Sequence, residues 1–119
     1  MKGTPHSVDE VLRHMLEAAD EIIAFVQGMD AKAFEADRKT RNAAVRSLEV
    51  IGEAARNLQR HHPEFVELHP NLPLRAAAGM RNALIHGYFE VDWPQVWTTV
   101  VRDIPALRRQ VQALLVSRA

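Results

Sequence analysis

Apolar residues recur every three or four positions along most of the 119-residue chain, and this period is typical of amphipathic α-helices. The first such run extends from Val8 to Val26. It begins with capping-box spacing between Ser7 and Glu10, and it stops at Gly28. No segment shows the β-rich alternation of a half-buried strand. The pattern therefore predicts an all-α fold.

A second long helix is predicted to follow Asp37, whose side chain can cap its first turn. A shorter turn, capped by Asp30, precedes it, and prolines after His61 end it. A single further turn is predicted at Glu64 to Leu68. Gly52 lies inside the long helix, where glycine costs roughly 1 kcal/mol relative to alanine. This cost favours a role for Gly52 in a close helix crossing.

Two more helices complete the prediction. Asn71 is placed to cap the third, and Gly87 suits a left-handed residue at its end. Asp92 can cap the fourth, which Pro105 is expected to kink or divide. The inward-facing residues of the third helix are predicted to be Leu74, Ala77, Met80, Leu84 and Ile85.

Four amphipathic helices with short connectors predict an up-down four-helix bundle with short extra helices. The chain has no linker rich in glycine or serine and no break in composition. We therefore expect a single helical domain over residues 1–119.

Charge and composition limit the function classes. Fifteen basic residues balance fifteen acidic ones, so any nucleic-acid site must be local and cannot depend on a global field. The absence of cysteine fits a reducing compartment, and the cytoplasm is the expected location. The amino terminus is polar, and no apolar run reaches about 18 residues. The sequence therefore predicts neither export nor a membrane partner.

Four polar residues gather at the end of the third predicted helix: Arg81, Asn82, His86 and Tyr88. Asn82 and His86 lie one helical turn apart, and Arg81 is beside Asn82. An imidazole can move protons near neutral pH, and a guanidinium binds phosphate through a planar fork. These groups suit cleavage of RNA, whose 2′-hydroxyl is its own nucleophile. From residue types alone, a structural histidine beside a helix-ending arginine remains the alternative.

The segment "RNALIHGY" resembles the Arg-x4-His-x-Tyr motif of HEPN-domain ribonucleases, with Arg81, His86 and Tyr88 on its three positions and Asn82 in the polar slot. The segments "SLEVIGEAARNL" and "MRNALIHGYFEVDWPQVW" are similar to the HepT-like branch, and the similarity covers nearly the whole chain. The resemblance implies a HEPN-like toxin that is a homodimer and an endoribonuclease requiring neither metal nor cofactor. It also implies an MntA-type nucleotidyltransferase antitoxin, encoded beside the toxin, that adenylylates Tyr88.

Within this hypothesis His86 is the general base or acid, and Arg81 holds the scissile phosphate. Asn82 orients His86 or the substrate, and Tyr88 positions RNA. The alternative is a non-catalytic binding or substrate-recognition module of a nucleotidyltransferase pair. An intact set of motif residues favours the enzyme, whereas the neutral net charge slightly favours the module.

Other candidate residues have structural alternatives. Glu49 and Glu53 lie one turn apart and could orient Arg81 or His86 across the bundle, although a solvated or paired face is an equally simple interpretation. Three histidines in the proline-rich connector lack the spacing of an i, i+4 pair, so no metal site is predicted; they are His61, His62 and His69. Trp93 and Trp97 are spaced for packing in a core or a subunit interface rather than for stacking on bases.

Overall fold

The computed structural model describes residues 6–87 and 90–119, and within them the chain is all-α with no strand, as predicted. The helices are α1 (Val8–Phe25), α2 (Ala31–Ala36), α3 (Arg38–His61), α4 (Pro63–Leu68), α5 (Leu74–His86), α6 (Trp93–Thr98) and α7 (Ile104–Arg118). A π-helical turn, Thr99–Asp103, joins α6 to α7. Among the described residues, no helix has the length and apolar character needed to cross a bilayer.

Four long helical segments build the bundle: α1, α3, α5 and the continuous run from α6 to α7. Helix α3 packs against both α1 and α5, and α7 packs against α1. The short helices α2 and α4 lie against α3 and correspond to the extra turns that the sequence predicts. Because α5 packs mainly on α3 while α7 packs mainly on α1, the bundle stays open between α5 and the α6–α7 run.

Side-chain caps begin four of the helices where the sequence predicts them. The Ser7 hydroxyl accepts the Glu10 N–H at 3.1 Å, and the Glu10 carboxylate accepts the Ser7 N–H at 3.0 Å. Asp30, Asp37 and Asp92 each accept a hydrogen bond from the backbone N–H three residues later, at 2.8, 3.0 and 3.1 Å. Each cap satisfies a donor that the first turn of a helix leaves unpaired.

The predicted start of α5 is wrong, whereas its end at Gly87 is confirmed and only the backbone conformation expected there is wrong. Pro73, not Asn71, is the N-cap residue, and it makes no side-chain cap. The chain first turns at Pro73, where the Leu74 N–H donates to the Leu72 carbonyl at 2.8 Å. The helix therefore starts later than predicted. At the other end Gly87 has φ −109°, whereas the glycine with a left-handed backbone is Gly28, with φ +80° after α1.

The core lies where α1, α3 and α7 meet, and it includes the fully buried side chains of Leu12, Met15 and Val111. Helix α5 contributes only a narrow buried stripe, formed by Leu74, Ala78 and Leu84. The prediction that Ile85 faces inward is wrong, because its side chain is 42% exposed. The reason is that Ile85, one turn after Arg81, lines a cleft between α1, α3 and α5.

Gly52 brings α3 and α5 close together, as its position in the sequence indicates. A methyl group added at Gly52 would overlap the Arg81 Cβ and would approach the Ala77 carbonyl oxygen to 2.9 Å. Only a residue without a side chain allows this separation of the two backbones. The crossing fixes the position at which Arg81 leaves α5.

The two tryptophans pack against the interior of the bundle, which confirms the packing interpretation. The Phe34 ring lies 5.2 Å from the Trp97 ring and 6.2 Å from the Trp93 ring, measured between centroids. The Arg41 guanidinium lies 4.6 Å above the Trp93 ring. These contacts attach α2 and the start of α3 to α6.

The fourth long helix is divided just before Pro105, as predicted. The Ile104 N–H donates to the Thr99 carbonyl, five residues earlier, instead of to the carbonyl four residues earlier. Proline cannot donate a backbone hydrogen bond, so a wider turn ahead of it accommodates the interrupted pattern.

Candidate active site

The last two turns of α5 contain Arg81, Asn82 and His86, while the predicted site residue Tyr88 lies outside the described residues. His86 is five positions after Arg81, which corresponds to a rotation of about 140° around the helix axis at about 100° per residue. The two side chains therefore leave α5 on different sides.

Arg81 is held at the crossing of α3 and α5. Its side chain is 24% exposed, and its Nη2 lies 3.4 Å from the Glu53 carboxylate. Its Nη1 donates to the Asn82 side-chain oxygen at 3.2 Å. Because a guanidinium has five N–H donors, these two contacts leave others for a ligand. The ion pair is partly exposed and contributes at most about 1 kcal/mol to stability, so a phosphate could displace Glu53.

A cleft of about 490 Å³ lies beside Arg81, between α1, α3 and α5. We call it the charged cleft, and its polar lining comprises His6, His14, Arg46, Glu49, Glu53, Asn57 and Arg81. Both predicted supporting carboxylates, Glu49 and Glu53, are in this lining, and Glu53 is the one in contact with Arg81. The structure thus brings Arg81 and the two glutamates together on one side of α5, and a hydrogen bond links Arg81 to Asn82, which lies one turn before His86.

His86 lies on the opposite side of α5. It is exposed, and it lines a second, larger groove of about 960 Å³ between α5 and the α6–α7 run. We call this the apolar groove, because its walls include Ala77, Met80, Ala83, Leu84, Val96 and Leu107. Within one copy of the chain, the motif arginine and the motif histidine therefore line different depressions.

Sequence reasoning missed four polar residues of the charged cleft: His6, His14, Arg46 and Asn57. A signal for two of them exists, since Arg46, Glu49, Glu53 and Asn57 are spaced by three, four and four residues and form one polar stripe along α3. Gly52 marks where this stripe passes under α5. His14 comes from a distant part of the sequence, and only the packing of α1 on α3 brings it to the cleft.

The connector histidines have structural contacts. The His62 Nε2 hydrogen-bonds to the His6 carbonyl oxygen at 2.7 Å, and the His69 ring lies 4.5 Å from the Phe65 ring. In the part of the chain that the structure describes, no three or more histidine, aspartate or glutamate side chains are grouped to hold a metal ion.

Comparisons with known proteins agree on one family. The sequence model of the family described as Ribonuclease HepT-like matches residues 15–114. A protein of Caldanaerobacter subterraneus named "Putative RNase" is 41% identical over 104 residues, covering 87% of this chain and 90% of that protein. One of Thermococcus cleftensis named "Probable ribonuclease HepT" is 40% identical over 105 residues, covering 88% of this chain and 93% of that protein. No solved structure matches the chain significantly.

The matched range spans most of the chain and includes both α3 and the motif on α5. The protein therefore belongs to the HepT-like ribonuclease family, as the resemblance of its motif predicts, and its class is that of an RNase.

Proposed function

We propose that this protein is the toxin of a toxin-antitoxin pair and acts in the cytoplasm as an endoribonuclease that requires no metal. The observation that carries the proposal is the motif on α5: a guanidinium anchored by Glu53 and Asn82, followed five residues later by the exposed imidazole of His86. The chain's membership of an RNase family supports the same activity.

The proposed reaction uses the 2′-hydroxyl of RNA as the nucleophile. His86 accepts the proton of this hydroxyl, whose oxygen attacks the adjacent phosphorus while the bond to the 5′-oxygen breaks. The leaving 5′-oxygen takes a proton from a second acidic group, and the products are a 2′,3′-cyclic phosphate and a 5′-hydroxyl. Arg81 stabilises the additional negative charge on the phosphate oxygens in the transition state.

We further propose that the active enzyme is a homodimer. Arg81 and His86 of one copy line different depressions, so a single copy does not present both groups to one phosphate. A twofold axis near the end of α5 would bring the two copies of the motif together, so that Arg81 of one copy and His86 of the other face the same phosphate. Sedimentation at micromolar concentration tests this directly, since a monomer would contradict it.

The catalytic proposal predicts cleavage of RNA in excess EDTA with 2′,3′-cyclic phosphate ends. His86→Ala and Arg81→Ala should each lower the rate by a factor on the order of 100 to 1,000 or more while the circular dichroism spectrum stays unchanged. Growth arrest on expression should disappear with the same substitutions. If both variants cleave RNA like the parent, these residues are not catalytic.

Neutralisation is proposed to occur at Tyr88, through an MntA-type nucleotidyltransferase. A tyrosine oxygen can attack the α-phosphate of ATP and release pyrophosphate, which leaves AMP on the phenol. The added negative charge would stand two residues from His86 and would repel the RNA phosphate.

Incubation with the cognate transferase and ATP should therefore add one or more AMP masses to the chain and abolish RNase activity. Tyr88→Phe should prevent the addition, as intact-mass spectrometry would reveal. An adduct on another residue, or no adduct with an active transferase, would contradict modification at Tyr88 and favour steric masking.

The second candidate function is a non-catalytic binding module of a nucleotidyltransferase pair. The charged cleft favours it to some degree, because Glu49 and Glu53 offset Arg46 and Arg81 and leave little net positive charge for RNA. The two functions differ in one measurement. A module would bind the transferase with no RNA cleavage by the purified chain.

A further inference from the structure

The charged cleft contains a second arginine that the proposed mechanism does not use. Arg46 is exposed on α3 and lines the same cleft as Arg81. None of the ion pairs among the described residues involves Arg46. One cleft therefore has two guanidiniums, of which one is loosely paired and one has no carboxylate partner in the described part of the chain.

The same cleft contains an acceptor without a donor. The side-chain oxygen of Asn57 is buried and has no hydrogen-bond partner among the described residues. Buried polar atoms in proteins are almost always paired, because an unpaired acceptor loses its bond to water without replacement. Because this oxygen is buried, the Asn57 side chain must turn toward the cleft before an N–H or O–H group of a ligand can supply the missing donor.

Together these groups fit a nucleotide better than a simple anion. Two guanidiniums suit phosphate, and the asparagine oxygen suits a ribose hydroxyl or a base N–H. The cleft volume of about 490 Å³ falls within the roughly 300–1,000 Å³ typical of small-molecule sites.

The acidic side chains of the cleft do not prevent such binding. Glu53 is 61% exposed and can turn toward solvent when a phosphate takes its place on Arg81. Glu49 lies one turn before Glu53 on α3. The imidazole rings of His6 and His14 contact each other edge to face, with 5.9 Å between their centroids.

We infer that the charged cleft binds the nucleotide adjacent to the scissile phosphate of the RNA, with Arg46 on its phosphate and Asn57 accepting a hydrogen bond from its ribose or base. This inference rests on the proposed RNase function. Arg46 and Asn57 position the substrate, and neither takes part in proton transfer. Their loss should weaken substrate binding and leave the chemical step nearly intact.

The test uses the full-length protein with Arg46→Gln, Asn57→Leu and a control, Arg60→Gln. Arg60 is exposed on the same helix and is not in the lining of the charged cleft. Steady-state cleavage of a short RNA gives KM and kcat for each variant. Fluorescence anisotropy with the same RNA carrying 2′-O-methyl groups, which cannot be cleaved, gives Kd over a range of salt concentrations.

Arg46→Gln should raise KM and Kd roughly tenfold, which is the effect of losing one charge-assisted hydrogen bond, with kcat nearly unchanged. The slope of log Kd against log salt should also fall by about 0.7, the value for one phosphate contact on a single strand. Asn57→Leu should raise KM with no change in the salt slope. Arg60→Gln should match the parent in KM, kcat, Kd and salt slope.

Two results would overturn the inference while leaving the proposed function intact. One is an active parent enzyme whose Arg46→Gln variant keeps the parental KM, Kd and salt slope. The other is a loss of kcat at constant KM in that variant, which would make Arg46 part of the chemical step. A parent that neither binds nor cleaves RNA would instead refute the proposed function, and the inference with it.

Discussion

The two sides of α5 differ in almost every physical property. On one side the charged cleft holds Arg81 between Glu53 and Asn82, at a crossing so close that only Gly52 fits. On the other side the apolar groove borders His86, and its walls are mostly aliphatic. The difference shows that two residues of one short motif can leave the same helix on different sides. Arg81 is held in place by its contacts with Glu53 and Asn82, and His86 is left exposed.

The largest effect is expected when Arg81 and His86 are substituted in different copies of the chain and the two variants are combined. Suppose that each active site combines Arg81 of one copy with His86 of the other. Arg81→Ala and His86→Ala are then each inactive alone, but a heterodimer of the two variants has one site in which both residues are intact. Random pairing makes half of the dimers mixed, with one of two sites intact, so about a quarter of the parental RNase activity should return on mixing.

The measurement is RNA cleavage after the two inactive variants are co-refolded or co-expressed. Each variant taken alone through the same refolding or expression is the control. Activity that stays at the background of the single variants would mean that both groups act within one copy, despite lying on different sides of α5.

A smaller effect is expected where the charged cleft depends on the helix crossing. Gly52→Ala should lower the free energy of unfolding by about 1–3 kcal/mol, because the new methyl group overlaps α5 and the backbones must separate. Gly79 is the matched control, since a methyl group there meets no atom within 4 Å in the described structure.

Gly79→Ala should instead raise the free energy of unfolding by about 0.5–1 kcal/mol, the usual gain from replacing glycine inside a helix. Urea denaturation measures both changes. Stabilisation by both substitutions would show that the crossing has room to relax, and the close contact at Arg81 would then not depend on Gly52.

The smallest effect concerns the start of α3, the helix that forms a wall of both depressions. The hydrogen bond from the Thr40 N–H to the Asp37 carboxylate lowers the pKa of Asp37. A group whose pKa is lower in the folded state stabilises the fold above its unfolded pKa, roughly 3.9 for aspartate, and this contribution is lost as pH falls through the folded value.

Thermal unfolding from pH 6 down to pH 2 should therefore show a steeper loss of Tm for the parent than for Asp37→Asn. Asparagine also caps helices but does not titrate over this range. Parallel profiles for the two proteins would mean that the cap stabilises α3 equally in both protonation states.

The sequence predicted the helical elements better than their ends. Aspartate and serine caps were identified correctly, because a side-chain oxygen and its N–H partner lie only three residues apart. The start of α5 was missed because Pro73 displaces it, whereas the end at Gly87 was predicted correctly although Gly87 does not adopt the left-handed φ expected of it. Ile85 was assigned to the core because periodicity does not reveal the cleft that it lines between α1, α3 and α5.

The candidate site was predictable only in part, for a related reason. The motif on α5 and the close approach at Gly52 are local features of the sequence. Which side chains share a cleft depends on contacts between residues far apart in the chain, such as His14 on α1 and Arg81 on α5. No periodic pattern within a single helix contains that information.

The π-helical turn at Thr99–Asp103 also determines where the chain can change length. A π turn accommodates one residue more than an α turn, so the helix surface before it is rotated by about 100° relative to an uninterrupted helix. Deleting one residue there would restore regular hydrogen bonding and would turn Trp93 and Trp97 away from Phe34. A single deletion at 99–103 should therefore be poorly tolerated, because it would put the apolar surfaces of α6 and α7 out of phase.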